Sequence, residues 1–426
     1  MEYQTQDVTT LKKCQAELLV RYQDFKAEKL KLDMSRGKPC PEQLDLSKGL
    51  ITCLAEDDYQ SRDGIDCRNY GGVQGIPEAR ELLAPILDAA PEDVIVSGNS
   101  SLALIYDTII KALVIGVPGG KMPWGKQLKV KFLCPSPGYD RHFAICNQLG
   151  IEMITLGLGE TGPDMDQVER LVAADESIKG ILCVPKYSNP SGITFSDEVV
   201  DRFAKMRTKA PDFRIFWDNA YAVHHLTEHP DHLKNILTAC KEAGNPDRVL
   251  LFSSTSKISL AGAGLSLVAG SENNINWLTK QIGIQTIGPD KLNQLRHVRF
   301  FKNFAGIEAQ MKRHASIIKP KFDQVYKVFE AELAGKKIAE WTRPNGGYFI
   351  SLNTLEGCAK KVVNMAAEAG VVLTKAGATY PYGKDPLDRN IRIAPTFPSL
   401  AELGKAMEIV AVCVQLASVE KILGGR

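Results

Sequence analysis

One lysine, Lys257, stands in "SSTSKISLAGAG" (253–264), among small residues directly after the apolar run "RVLLF". Lysine ordinarily decorates a solvated face, and here it is either the cap of a surface loop or a chemical group. A lysine held in a crowded pocket forms a Schiff base with a carbonyl cofactor. Four other segments bear on the choice, because each places a polar or aromatic residue just after an apolar run. Asn99, Ser100 and Ser101 follow "DVIVSG" and open a helix. Free N–H groups, hydroxyls and the helix dipole make an anion site fit for phosphate there, although an ordinary N-cap uses the same residues. Tyr139 follows "VKFLCPSP" and offers a flat ring to a flat ligand. Asn189 lies in the turn "KYSNPSG" after "GILCVP" and offers a hydrogen bond to a phenolic oxygen. Asp218 follows "RIFW", where a carboxylate is costly unless paired; a protonated ring nitrogen is a suitable partner, with Tyr221 three residues on reaching the same ligand. Ser254 and Ser256 come to the same edge as Lys257. Each feature is weak alone, and their recurrence in one order is not.

The elements that must position these residues are legible as alternating patterns. Short apolar runs at 93–98, 130–137, 152–158, 180–185, 214–220, 248–255 and 265–271 read as strands. Helical stretches such as 164–175 and 197–209 separate most of them. Runs buried on both faces and separated by helices predict a mostly parallel sheet covered by helices, and ligands in such sheets collect at the carboxyl ends of the strands. Residues 8–32 read as an amphipathic helix, followed by the Pro- and Gly-punctuated arm "DMSRGKPCPEQLDLS". After about 300 a long helix (303–334) leads to strand candidates at 346–352, 371–377 and 390–395 and a final helix near 400–422, a smaller α+β domain. The expected division is therefore an N-terminal helix and arm (1–60) joining the small domain, a large domain (61–300) and a small C-terminal domain (301–426).

Bulk properties narrow the class. The 426 residues exceed one ordinary core. A net charge of +2 gives no sign of a nucleic-acid surface. The ten cysteines contain no CxxC pair, which argues against a zinc site and a disulfide framework and suits a reducing cytosol. No run approaches the roughly 18 apolar residues of a membrane span, so a soluble cytoplasmic protein is expected. His225 and His229 in "VHHLTEHPDHL" have metal-like spacing, but Pro230 disfavours a helix there, and no metal is expected at them or at His224 and His232.

"YSNPSG", "DNAY", "STSK" and "NIRIAP", with "YGGVQGIPEARELL" (70–83), resemble the fold-type I, pyridoxal-phosphate-dependent aminotransferases of class I/II. Within them the chain is similar to a divergent aspartate aminotransferase subgroup with an "RGKP" arm. The resemblance covers nearly the whole chain and implies an α/β, aspartate aminotransferase-like PLP-transferase fold. It implies that Lys257 joins pyridoxal 5′-phosphate covalently and later moves the proton at Cα. It implies that Asp218 keeps the ring nitrogen protonated, that Asn189 and Tyr221 bond the ring oxygen, and that Tyr139 stacks on the ring. The phosphate would fall to Asn99, Ser100, Ser101, Ser254 and Ser256, with Tyr70 reaching across from the second subunit of a homodimer with shared sites. Arg392 would take the substrate α-carboxylate as a bidentate pair, and Gly37 would let the arm come close. One departure stands out: the family carries a phosphate-binding arginine eight residues after the lysine, and here position 265 is leucine, in "AGAGLS", with no cation.

The implied reaction transfers an amino group from an amino acid, aspartate in the subgroup, to a 2-oxo acid such as 2-oxoglutarate. A dicarboxylic substrate needs a second cation, for which Arg36, Arg141, Arg68 and Lys186 are candidates, the first two favoured. An aromatic or broad-range aminotransferase and a lyase on the same scaffold share the lysine and aspartate. A non-catalytic regulator with an aminotransferase-like half is disfavoured, since only about thirty residues precede the arm, too few for a DNA-binding domain.

Overall fold

The structure is a computed structural model, and it describes residues 2–425. The chain begins with helix α1 (Val8–Ala27), capped by Asp7, whose carboxylate accepts from Thr10 N–H, and continues into a two-residue strand β1 (Leu32–Asp33). Each of the seven apolar runs between 93 and 271 forms a strand: β2 (Val94–Ser97), β3 (Lys131–Ser136), β4 (Glu152–Gly157), β5 (Ile178–Cys183), β6 (Arg214–Asp218), β7 (Val249–Ser254) and β8 (Ser266–Gly270). They join in one sheet of order β2-β8-β7-β6-β5-β3-β4. Only β8 runs against its neighbours; the remaining pairings are parallel. Every residue of β5 to β8 is buried, which requires a cover on each face. The two-residue period supplies both cores. Ile215 and Trp217 of β6 enter one layer with Leu251 and Leu267, while Phe216 enters the other with Phe132, Leu182 and Phe252. Helices α2 (Ser101–Val114) and α3 (Asp140–Gln148) leave the carboxyl ends of β2 and β3.

Beyond the sheet, α4 (Lys291–Phe301) and the thirty-residue α5 (Phe304–Leu333) lead to a second, antiparallel sheet. It consists of β9 (Ala339–Trp341), β10 (Ile350–Thr354) and β12 (Asn390–Ile393) in the order β12-β10-β9. The final helix α6 (Leu400–Gly424) opens on a capping box of Ser399 and Glu402. Its buried residues share one core with Leu11 and Leu18 of α1 and with Phe322 and Phe329 of α5.

Three expectations need correction. The first helix stops at Ala27, not 32, because Lys29 adopts a left-handed backbone at φ 50°. The run 346–352 begins its strand only at Ile350. Gly346 and Gly347 are pressed on Tyr187, where an added Cβ would come within 2.4 and 2.8 Å of its side chain. The run 371–377 yields only β11 (Val371–Val372), which leaves the small sheet and pairs in parallel with β1. Gly370 permits this, since a Cβ there would lie 2.2 Å from the Leu30 carbonyl oxygen. The segment's job is to clamp the arm.

Beneath the sheet, Lys179 of β5 and Asp212 form a 2.7 Å ion pair, their side chains 5% and 3% exposed, and Trp124 Nε1 donates to the same carboxylate at 2.9 Å. Removing one partner strands a buried charge. Asp212→Ala is therefore expected to cost about 3–5 kcal/mol of stability, measured as a fall in the urea midpoint, while Asp212→Asn, which keeps an acceptor, should cost less.

Candidate active site

Lys257 follows β7 in a loop whose shape other residues dictate. Thr255 closes it through two bonds of 2.8 Å, its N–H to the Leu265 carbonyl and the Leu265 N–H to its hydroxyl. His297 of α4 faces the hydroxyls of Thr255 and Ser259 through Nε2 at 3.2 and 2.9 Å, with Nδ1 on the Asn293 carbonyl. Burial drops the His297 pKa to about 4, so it serves as a neutral hydrogen-bonding post. Asn293 donates to the carbonyls of Ala263 and Gly264. The half-buried lysine extends over two rings, its Nζ 5.1 Å from the centroid of Tyr221 and 5.7 Å from that of Tyr348. Desolvation pulls its pKa below the ordinary lysine value, and the negative charge of Asp218 opposes that fall.

Asp218 ends β6, is 3% exposed, and uses only half of its carboxylate within the protein. Its Oδ2 pairs with His142 Nε2 of α3 at 3.0 Å, and its Oδ1 is buried without a partner. An orphaned carboxylate oxygen is expensive unless a donor from a ligand completes it. Tyr139 caps α3 and meets the His142 ring edge-on at 4.9 Å. Burial, then the charges of Asp218 and Asp140, raise the Tyr139 phenol to about 12. Tyr221 is 4% exposed and burial raises its pKa well above the usual value, so it is a neutral donor. Asn189 is buried beside them and accepts from Arg392 at 3.2 Å.

A second buried chain supports the lysine from behind. Gln43, on the short helix Pro41–Asp45 of the arm, donates through Nε2 to His314 Nδ1 at 2.8 Å and to the Tyr348 hydroxyl at 2.9 Å. With Nδ1 accepting, His314 donates through Nε2 to the carbonyl of Ile258, next to the lysine, at 3.1 Å. His224, also buried, lies edge-on to both Tyr221 and Tyr348.

At the β2 edge, Ser100 caps α2, accepting from Ala103 N–H, and Ser256 donates to the Asn99 carbonyl at 2.8 Å. That bond brings Asn99–Ser101 and Ser254–Lys257 to one rim. Leu265 is 1% exposed and packed in the core. Tyr70 is 78% exposed, on a loop that Lys291 fixes through the carbonyls of Asn69 and Gly71 at 2.6 and 2.8 Å.

Arg392 of β12 closes the opposite side. It is stacked 5.0 Å over Phe349 and pairs with Asp140 at 2.8 Å. The arm reaches the same place: Thr374, which accepts from Arg392, donates to the Ser35 carbonyl at 2.7 Å. A Cβ on Gly37 would lie 2.4 Å from the Phe349 ring. Of the four cations considered for a distal carboxylate, Arg68 is committed to Asp66 through two bonds and stacks on Tyr59. Lys186 lines a separate cavity with His225, Lys312 and Lys319. Arg36 is exposed on the arm, and Arg141 stands beside Tyr139; among the described residues, neither side chain has an ion-pair or hydrogen-bond partner.

The histidines of "VHHLTEHPDHL" diverge: His225 bonds the Tyr187 hydroxyl at 2.9 Å, and His232 faces Asp197 at the surface. Among the described residues no group of three or more His, Cys, Asp or Glu is placed to hold a metal, and no helix is long and apolar enough to cross a membrane. Sequence reasoning missed His142, Asp140, Thr374, Gln43 and His314. The first two were readable as neighbours of Tyr139, and the others carry no local signal.

Comparison with known proteins gives this arrangement its family. The aspartate amino-transferase family model matches residues 6–426. A putative aminotransferase of Mycolicibacterium smegmatis is 50% identical over 407 residues, 95% of each chain. An aspartate aminotransferase of Corynebacterium glutamicum is 45% identical over 400 residues, 94% of this chain and 92% of its own. The crystal structure of an aspartate transaminase from Corynebacterium glutamicum superposes with a TM-score of 0.97 at 43% identity, covering 99% of both chains. The chain belongs to the aspartate amino-transferase family.

Because the charge of Asp218 holds the Lys257 pKa up against desolvation, Asp218→Asn should lower it further. NMR titration of the reductively methylated, cofactor-free protein should find Lys257 deprotonating at lower pH than a free lysine, and at still lower pH in the variant. An unchanged or higher value in the variant would contradict the coupling.

Proposed function

We propose that this chain is a pyridoxal-phosphate-dependent aspartate aminotransferase that works as a homodimer. One observation carries the reading: a buried, unpartnered carboxylate oxygen of Asp218 faces a site that also holds a lysine of lowered pKa. That pair fits a cofactor with a protonated ring nitrogen and an aldehyde. Bound there, pyridoxal phosphate supplies an electron sink conjugated to the substrate's Cα. Lys257 would hold the cofactor in the resting site and, once the substrate's amine has displaced it, would stand as a neutral amine placed to take the Cα proton. Asp218 keeps the ring nitrogen protonated, and His142 orients Asp218. Tyr221 and Asn189 bond the ring oxygen, and Tyr139 covers the ring. The α2 N-terminus with Asn99, Ser100, Ser101, Ser254 and Ser256 holds the phosphate, joined by Tyr70 of the partner subunit. With Leu265 turned into the core, hydroxyls and N–H groups replace the family's arginine.

Arg392 receives the α-carboxylate, and the arm, close-packed at Gly37, walls the substrate from water. Arg36 and Arg141, uncommitted and on this side, are assigned the distal carboxylate. The relatives named aspartate aminotransferase or transaminase, at 43–45% identity, support aspartate as the donor, with a 2-oxo acid such as 2-oxoglutarate as acceptor.

Asp218→Asn should leave cofactor binding largely intact and reduce kcat far more than it raises KM, since the loss falls on the transition state; near-normal kcat rules out the role. Arg36→Ala or Arg141→Ala should reduce kcat/KM for aspartate by about thirtyfold or more while sparing alanine, because one partner of a desolvated charge pair is lost. Equal losses on both donors would favour a broad-range enzyme, and stoichiometric ammonia release would mark a lyase. Mixing Lys257→Ala with Tyr70→Ala chains should restore activity if the sites are shared, because each heterodimer then has one intact site; no gain under demonstrated exchange contradicts sharing.

A further inference from the structure

To receive a carboxylate, Arg392 must give up hydrogen bonds it already makes. Guanidinium has five N–H groups. Thr374 Oγ1 accepts from Nε at 3.3 Å and Nη2 at 3.2 Å, and Nη1 donates to Asp140 at 2.8 Å and to Asn189 at 3.2 Å. Four of the five are taken. A bidentate carboxylate takes either the side-on pair of Nε and Nη2, which Thr374 occupies while it also holds the Ser35 carbonyl, or the end-on pair with one N–H from each terminal nitrogen, for which Nη1 has none to spare. One of its two partners must give way. Asn189 is 2% exposed and fixed in its turn, whereas the Asp140 side chain is 23% exposed and sits on the first turn of α3, with solvent to move into. Asp140 is also the partner whose charge an arriving carboxylate repels.

We propose that Asp140 is an exchangeable counter-ion that keeps the buried Arg392 neutralised and leaves only when a substrate carboxylate replaces it. The side chain of Arg392 is 4% exposed, and a guanidinium buried so deeply without an anion is costly. Asp140 removes that cost between turnovers, and at the same time it weakens every carboxylate ligand by competing with it. The exchange discriminates: an uncharged ligand cannot dislodge Asp140, whereas a carboxylate trades one ion pair for another. It also lets product leave, since Asp140 is tethered next to the cation it must reclaim. This inference rests on the assignment of Arg392 made above.

The test is calorimetric titration of the holoenzyme with maleate and with propionate, carboxylates that lack an amino group and cannot react. Asp140→Asn retains shape and removes charge; both ligands should bind about tenfold more tightly to it. Asp140→Ala, which also removes the acceptor, should tighten them similarly. In turnover, KM for the amino acid should fall and kcat should not rise. Unchanged or weaker binding in both variants overturns the exchange and leaves Asp140 as a support for Arg392. Arg392→Ala separates the two claims. If it binds both carboxylates as the wild type does, the receptor assignment itself is wrong. If it loses them while the Asp140 variants show no tightening, only the exchange fails.

Discussion

The structure is organised around charge held out of water at the carboxyl end of one sheet. Asp218 ends β6 and Lys257 follows the adjacent parallel strand β7 by three residues, so the topology forces a carboxylate and an amine into one desolvated space. Neither is satisfied by the protein alone: the carboxylate keeps an unused oxygen, and the lysine faces two aromatic rings instead of an anion. Such an arrangement costs folding free energy, and it persists because the surroundings over-determine it. That same cost is what suits the site to a ligand with a protonated nitrogen and a carbonyl carbon, because binding removes it.

Much of the remaining architecture serves to hold these two groups still. Helix α4 fixes the lysine loop through His297 and Asn293. Helix α3 fixes Asp218 through His142. The arm contributes Gln43, whose amide orients His314 and Tyr348 and so reaches both the backbone and the ring beside Lys257. Arm, long helix and small sheet therefore meet at the lysine, although they lie far apart in the chain. Burial keeps the supporting histidines His297 and His314 neutral, each near pKa 4, so the supports add no charge of their own to the site.

How far the sequence could be read follows from the range of the interactions. All seven strands of the large sheet were legible, since runs such as "GILCVP" and "RVLLF" are buried on both faces and declare themselves locally. Lys257, Asp218, Asn189 and Tyr139 were legible as polar or aromatic residues displaced just past such runs. The chain beyond the large sheet was read less well. "VVLTKAG" has a strand's composition, yet its first residues pair with the arm more than 300 positions away and Thr374 bonds Ser35 and Arg392. The ion pair of Arg392 with Asp140 spans 252 positions, and nothing in "GYDRH" announces which residue bonds Asp218 and which pairs with Arg392. Long-range polar partners leave no periodicity, so they become visible only with the fold.

Every role proposed for the site requires that Lys257 carry the cofactor. Borohydride reduction of the holoenzyme, followed by peptide mapping, tests this most directly. Reduction should leave one phosphopyridoxyl label per chain, on the peptide containing "SSTSKISL", and none on Lys179, Lys186 or Lys291, which are also buried or half-buried. A label on any other lysine, or none on this peptide, would contradict that assignment.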